Sequence, residues 1–194
     1  MNPEPRRPGR PRDTDKDLAV LIATRKLLAE VGYQQTTVVG IARRAGVNTA
    51  AIYRRWPTRE ALLEEAVHGP GGHTLPDPTG DLRADLRTWV HIFLARAASP
   101  AARAGVPGLL ADSQTDEARH RLLAIGAPVR KAFAELLGHA VDTAQIPPGA
   151  DPEVLFEILS GTTTFHALAL GGNDTDGFAE KLSAALYTMA VHPT

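Results

Sequence analysis

Apolar residues recur at helical spacing along most of the chain. Val20, Leu21, Leu27, Leu28 and Val31, with Thr24 among them, fall three and four residues apart. That spacing predicts an amphipathic helix that starts near Asp15 and stops at Gly32. Val38, Ile41, Ala42 and Ala45 predict a second helix from about Thr37 to Ala45. Gly46 suits the left-handed residue that ends it, and Asn48 suits the N-cap of a third, short helix through Ile52 and Tyr53. Thr58 caps a fourth, in which Leu62, Leu63 and Val67 are the apolar positions.

The stretch from Gly69 to Gly80, GPGGHTLPDPTG, is dense in turn residues and separates two halves. Beyond it the pattern is helical again, over residues 81–98, 101–111, 116–144 with a kink expected near Pro128, 151–170 and 178–192. No stretch alternates with period two and no internal repeat is present. The expected fold is all-α: a front domain of short helices, then a longer helical bundle, about nine helices in total. The expected divisions are a flexible arm over 1–12, a front domain over 13–67, a linker over 68–80 and a second domain over 81–194.

Composition narrows the function. Over 194 residues, 43% are hydrophobic and 22% charged, enough to bury a sizeable core. The absence of cysteine removes disulfides, thiolate zinc sites and cysteine catalysis, and it fits a cytoplasmic location. No apolar run approaches 18 residues, so no membrane partner is expected, and MNPEPRRPGRPRDTDK lacks the apolar region of a secretory signal. The net charge of −1 conceals a split. Residues 1–67 hold twelve Lys and Arg against eight Asp and Glu, whereas residues 68–194 hold nine against fourteen. Only the front is suited to a polyanion.

Two short helices across a tight glycine turn make a helix-turn-helix, whose second helix enters the major groove. Ile41, Ala42, Val47 and Ile52 can pack the pair together. Arg43, Arg44, Thr49, Ala50, Tyr53 and Arg54 are left nearer the surface. Small residues at 49–51 allow close approach to base edges, and Arg43, Arg44, Arg54 and Arg55 supply charge for phosphates on either side.

The run GYQQTTVVGIARRAGVNTAAIYRRWPTREALLEEAV, Gly32 to Val67, resembles the DNA-binding domain of the TetR/AcrR family of transcriptional repressors. Thr36-Thr37, Ile41-Ala42, Ala45-Gly46-Val47, Ile52-Tyr53 and Trp56-Pro57-Thr58-Arg59-Glu60 fall in register. Asn48 stands where Ser is frequent, Trp56 where Phe is usual, and Arg59 where Lys is common. The resemblance implies phosphate contacts by Thr37, Tyr53 and Arg59. It implies that Thr49 and Ala50 face bases, with Arg44 and Arg54 on base or phosphate. Asn48, at the start of the recognition helix, joins this DNA-facing set, and Trp56 is assigned to the core. In the arm, Gly9-Arg10-Pro11-Arg12 is similar to the core of an AT-hook, so Arg10 and Arg12 are expected in a narrow A·T-rich minor groove.

For the rear half, the resemblance implies an effector pocket and a dimer interface. Trp89, His91, Phe93, Phe133, Phe165 and His166 are candidates for the pocket wall. Leu155, Ile158, Thr162, Phe178, Leu182, Ala185, Leu186 and Met189 form stripes on the last two helices, suited to a four-helix interface with a second copy. The expected partners are double-stranded DNA, a second copy and an apolar or amphipathic small-molecule effector, neutral or cationic because few arginines are available to face inward. The chain has no GxxxxGK[ST], GxSxG or HExxH motif, so no enzyme, cofactor or metal is expected. His68 and His73 are five apart without a third ligand. A helical small-molecule-binding or scaffold protein without specific DNA activity is the alternative, and the basic arm and surface arginines weigh against it.

Overall fold

The computed structural model describes residues 14–69, 75–170 and 174–193. Among these residues there are nine helices and no strand: α1 (Thr14–Gln35), α2 (Val38–Ala45), α3 (Thr49–Arg55), α4 (Arg59–His68), α5 (Leu82–Ala97), α6 (Pro100–Asp112), α7 (Asp116–Asp142), α8 (Pro152–Ala169) and α9 (Thr175–Val191). None is long and apolar enough to cross a membrane.

Side-chain caps set most of the starts. Thr37, Asn48, Thr58, Asp81, Ser99, Thr115 and Asp151 each accept a backbone N–H from the first turn of the following helix. Gly46 ends α2 in the left-handed conformation at φ 68°, which a side chain rarely tolerates, and its N–H reaches the carbonyl of Ala42. The last turn of α1 breaks at Gly32, φ 77°, where the sequence placed its stop. Helix α7 continues through Pro128, and α6 through Pro107. Both prolines are exposed, as are Ala124 and Arg103 four residues earlier, so the carbonyls left without a donor face water.

Two apolar clusters form. One joins Val20, Leu28 and Tyr33 of α1 to Ile41, Ile52, Trp56, Leu62 and Leu63, and it also takes Ala101 and Leu109 from α6. The other holds Leu86, Trp89 and Val90 of α5, Phe133 and Leu137 of α7, Leu155 and Leu159 of α8, and Leu182 and Leu186 of α9. Helix α6, which follows the turn-rich stretch, thus packs with the front cluster. The ends of that stretch are anchored. Gly69 N–H bonds to the carbonyl of Glu65, and buried Asp85 accepts the N–H and hydroxyl of Thr79. His73 lies outside the described residues.

Candidate nucleic-acid interface

Packing and capping together present one face of α2 and α3. Ile41, Ala42 and Ile52 are buried between the helices and α1, which turns Arg43, Arg44, Ala50, Tyr53, Arg54 and Arg55 outward. Thr49 is half-buried. At the start of α2 the Thr37 hydroxyl oxygen accepts the Gly40 N–H at 3.1 Å, and its own proton stays available to an acceptor outside. Asn48 Oδ1 accepts the Ala51 N–H at 2.7 Å, leaving its amide nitrogen outward. Tyr53 is 49% exposed, and its hydroxyl meets no hydrogen-bond partner among the described residues.

The arginines of this face fall into two classes. Arg43 and Arg54 form no ion pair among the described residues. Arg44 is 2.6 Å from Glu30 of α1, which raises its pKa while Arg44 lowers that of Glu30. Arg55 bridges Asp17 and Glu65, each at 3.2 Å, with its guanidinium 5.1 Å from the Trp56 ring centroid. Trp56 itself is buried, and its indole N–H donates to Glu65 at 2.8 Å.

Arg59, for which a phosphate contact is expected, is held within the protein at three of its donors. Its Nε donates to the carbonyl of Thr36 at 2.7 Å, a second nitrogen donates to the carbonyl of Tyr33, and a third pairs with Glu60 at 3.2 Å. The guanidinium lies 4.6 Å from the Tyr33 ring centroid. The α1–α2 turn leaves two carbonyls at the first turn of α4, and Arg59 satisfies them. Three of its five N–H donors are thus engaged within the protein. Arg10 and Arg12 lie outside the described residues.

Helix α4 joins this face to the rear half. Its last carbonyls are capped by arginines from two other helices. Arg25 Nε reaches Ala66 at 2.7 Å, and Arg96 of α5 reaches His68 and Gly69 at 2.9 and 3.0 Å. Burial pushes both guanidiniums below their usual range. Beside them, burial first and the charge of Arg96 second hold the His68 imidazole down to about 4, and its Nε2 has no partner. Earlier in α4, buried Glu64 takes two hydrogen bonds from Arg121 of α7, at 3.1 and 3.2 Å. Sequence reasoning missed these ties. Glu64-Glu65 looks like a solvated pair until Glu64 is seen to share the inward side of α4 with Leu63.

The family model described as bacterial regulatory proteins, tetR family, matches residues 20–66, and that of the tetracyclin repressor-like C-terminal domain matches residues 75–186. The chain belongs to the TetR family. It is a DNA-binding transcriptional regulator of that family. The crystal structure of the TetR family transcription regulator SCO0332 superposes with a TM-score of 0.73 at 30% identity, covering 90% of this chain and 97% of that one. The HTH-type transcriptional regulator YdeS of Bacillus subtilis is 29% identical over 90% of this chain and 89% of its own length. The DNA-binding transcriptional repressor TetR of Mycobacteroides abscessus is 25% identical over 94% of this chain and 97% of its own.

In the C-terminal domain of this TetR-family chain, the pocket candidates separate. Trp89, Phe93 and Phe133 come together, with Trp89 5.2 Å from Phe133 and 6.0 Å from Phe93 between ring centroids. Phe156, which the sequence reading did not single out, completes the group at 5.5 Å from Phe93 and 5.8 Å from Phe133. Trp89 and Phe133 are fully buried core. His91 is exposed, and Phe165 is 63% exposed, so neither joins the group. One residue on from Phe165, a turn of about 100° takes His166 inside. It stacks on Phe178 with centroids 3.9 Å apart, and both its ring nitrogens are buried without a hydrogen-bond partner.

The expected interface stripes are also split. Leu155, Leu182 and Leu186 are core residues of the rear cluster, and Ile158 and Phe178 are half-buried against it. Thr162, Ala185 and Met189 are exposed. These three share the outer face with Val154 and Phe165 of α8 and Ala184 of α9. Both helices are apolar on two sides, and three- and four-residue spacing alone does not distinguish the side that faces α5 from the side that faces out.

Proposed function

We propose that this TetR-family regulator is a homodimeric repressor, binding a pseudo-palindromic operator and released from it by a small-molecule effector. The observation that carries the DNA contacts is the outward face of α2 and α3. There, among the described residues, the Thr37 and Tyr53 hydroxyl protons and the Arg43 and Arg54 charges have no partner, and Thr49 and Ala50 keep the helix surface low for base edges. Asn48 and Arg44 flank them. Residues 13–67 then form the DNA-binding domain and residues 81–194 the effector and dimerisation domain, acting in the cytoplasm without an enzymatic step.

The exposed apolar face of α8 and α9 supports pairing with a second copy. A dimer would place two α3 helices in successive major grooves, roughly 34–36 Å apart. The aromatic group of Trp89, Phe93, Phe133 and Phe156 supports an apolar effector body. The nearby guanidiniums of Arg96 and Arg130 are already bound, to carbonyls and to Glu153. That favours a neutral or cationic effector over an anionic one. A protein of the same fold binds a ligand with a long acyl chain, although the CoA portion of that ligand is anionic. FadR from Bacillus subtilis, solved in complex with stearoyl-CoA, superposes with a TM-score of 0.59 at 18% identity, over 91% of this chain and 98% of that one.

The test is an electrophoretic shift with genomic fragments and the full chain, repeated with Ala50→Glu. The wild type is expected to retain a discrete set of fragments, and the variant, folded by circular dichroism, to retain none. Equal retention by both would overturn the reading.

A further inference from the structure

The end of α6 reaches back to the turn that precedes α2. Asp112, the last residue of α6, accepts a hydrogen bond from the Tyr33 hydroxyl at 2.5 Å. This is within the range of a charge-assisted O–H···O⁻ contact. The Tyr33 ring is buried against Gly108, where an added Cβ would stand 2.3 Å from ring carbons, so only glycine admits the ring at this depth. The same ring carries the Arg59 guanidinium, which in turn binds the carbonyls of Tyr33 and Thr36. Thr36 is buried, and its hydroxyl donates to the carbonyl of Gly32 at 2.7 Å. The next residue is Thr37, the cap of α2.

Asp112 is poorly placed for its own helix. A carboxylate at a helix C-terminus meets the negative end of the dipole, and no basic side chain pairs with Asp112 among the described residues. A local rule broken without local compensation points to a role elsewhere. The role its contacts offer lies in the α1–α2 turn.

We propose that Asp112 is a positioning residue for DNA binding: through Tyr33 and Arg59 it fixes the α1–α2 turn, and with it the phosphate-facing Thr37. The inference rests on the DNA-binding role of this face. It makes α6 answerable for the geometry of Thr37, with which it shares no hydrogen bond among the described residues. Arg59 then acts through the turn rather than on phosphate.

The test uses the full chain and the variants Asp112→Ala and Tyr33→Phe, with Leu136→Val as a control that loosens the rear core. Asp112→Ala favours α6 by both helix propensity and dipole, so a loss it causes is not a loss of α6. Amide exchange without DNA is read at Gly40 and Ile41, whose N–H groups bind the Thr37 hydroxyl and carbonyl. Operator affinity is read by fluorescence anisotropy on a duplex selected from random sequence by the wild type. Both variants are expected to speed exchange at these amides and to weaken the operator about fivefold, the size of one hydrogen bond. Their double variant is expected to do no worse than either alone, and Leu136→Val to do neither. Unchanged exchange, unchanged affinity despite faster exchange, or the same effects in Leu136→Val would each overturn the proposal. If the wild type selects no duplex, the DNA-binding role fails, while the exchange measurement still decides whether Asp112 holds the turn.

Discussion

Arg121 of α7 places two guanidinium nitrogens on the carboxylate of Glu64 in α4, at 3.1 and 3.2 Å, and the Glu64 side chain is 4% exposed. A bidentate pair of this kind is strong in geometry but costly in desolvation. Its removal is therefore asymmetric. Arg121→Ala leaves a nearly buried carboxylate without its partner and is expected to cost about 2–3 kcal/mol. Glu64→Leu combined with Arg121→Met replaces both charges by apolar groups and is expected to recover most of that loss. Urea unfolding of the three proteins checks it. A double variant no better than Arg121→Ala would show that the pair itself stabilises the junction.

His68 gives the junction a pH dependence. Its imidazole titrates at about 4 in the folded chain and near 6.5 when unfolded. Between those values the unfolded chain takes up a proton that the folded chain refuses. The stability is thus complete above pH 6.5 and is lost as pH falls toward 4, by roughly 3 kcal/mol at most. Acidic groups add their own slope, so the difference between proteins isolates the histidine. His68→Leu removes an unsatisfied nitrogen and is expected to be neutral or stabilising at pH 5, with a flatter acid limb. Denaturation midpoints between pH 4 and 8 measure this. A parallel limb in the variant would refute it.

The split of the α8–α9 stripes predicts different outcomes at neighbouring positions. Phe165→Glu places a charge on the outer face, outside the rear cluster, and is expected to yield a folded monomer. Leu186→Ala opens a cavity in a fully buried position and is expected to cost about 2–5 kcal/mol while leaving the assembly dimeric. Sedimentation velocity and thermal unfolding separate the two effects. A dimeric Phe165→Glu would remove this face from the interface.

The elements of the front half were legible because caps and glycines mark them: Gly46, Asn48 and Thr58 each occupy the position the pattern assigned, and Thr37, expected at the start of the second helix, is its cap. The outward placement of Tyr53 and Arg54 followed from Ile52 facing inward. What the sequence withheld were the contacts between distant segments. Tyr33 and Asp112 are 79 residues apart, and Glu64 and Arg121 are 57 apart. Nothing local distinguishes those side chains from solvated ones. Arg59 is a related case: its position beside Thr58 suggests an outward charge, and the carbonyls it binds, in a turn 23 and 26 residues earlier, could not be read from that position. In the rear half, a helix apolar on two sides left periodicity unable to choose between core and interface.

The two classes of arginine predict different salt dependences for DNA binding. Arg54 has no acidic partner among the described residues, so on binding it neutralises a phosphate and releases a condensed counterion. Its replacement by alanine is expected to flatten the log–log salt slope by roughly 0.9 per contact, hence about 1.8 for a dimer. Arg55 begins the process already paired with Asp17 and Glu65. To reach a phosphate it must leave two carboxylates, so Arg55→Ala is expected to change the slope little and to weaken the fold around Trp56 instead. Tyr53→Phe removes an uncharged donor. It is expected to lower affinity for every sequence alike, with the slope and the base preference unchanged. Anisotropy titrations of the three variants at four salt concentrations, on the operator and on a scrambled duplex, provide all the values. A slope change in Arg55→Ala as large as in Arg54→Ala would show that the internal pairs open at no cost. A single degenerate base position in Tyr53→Phe would move that residue from the phosphates to the bases.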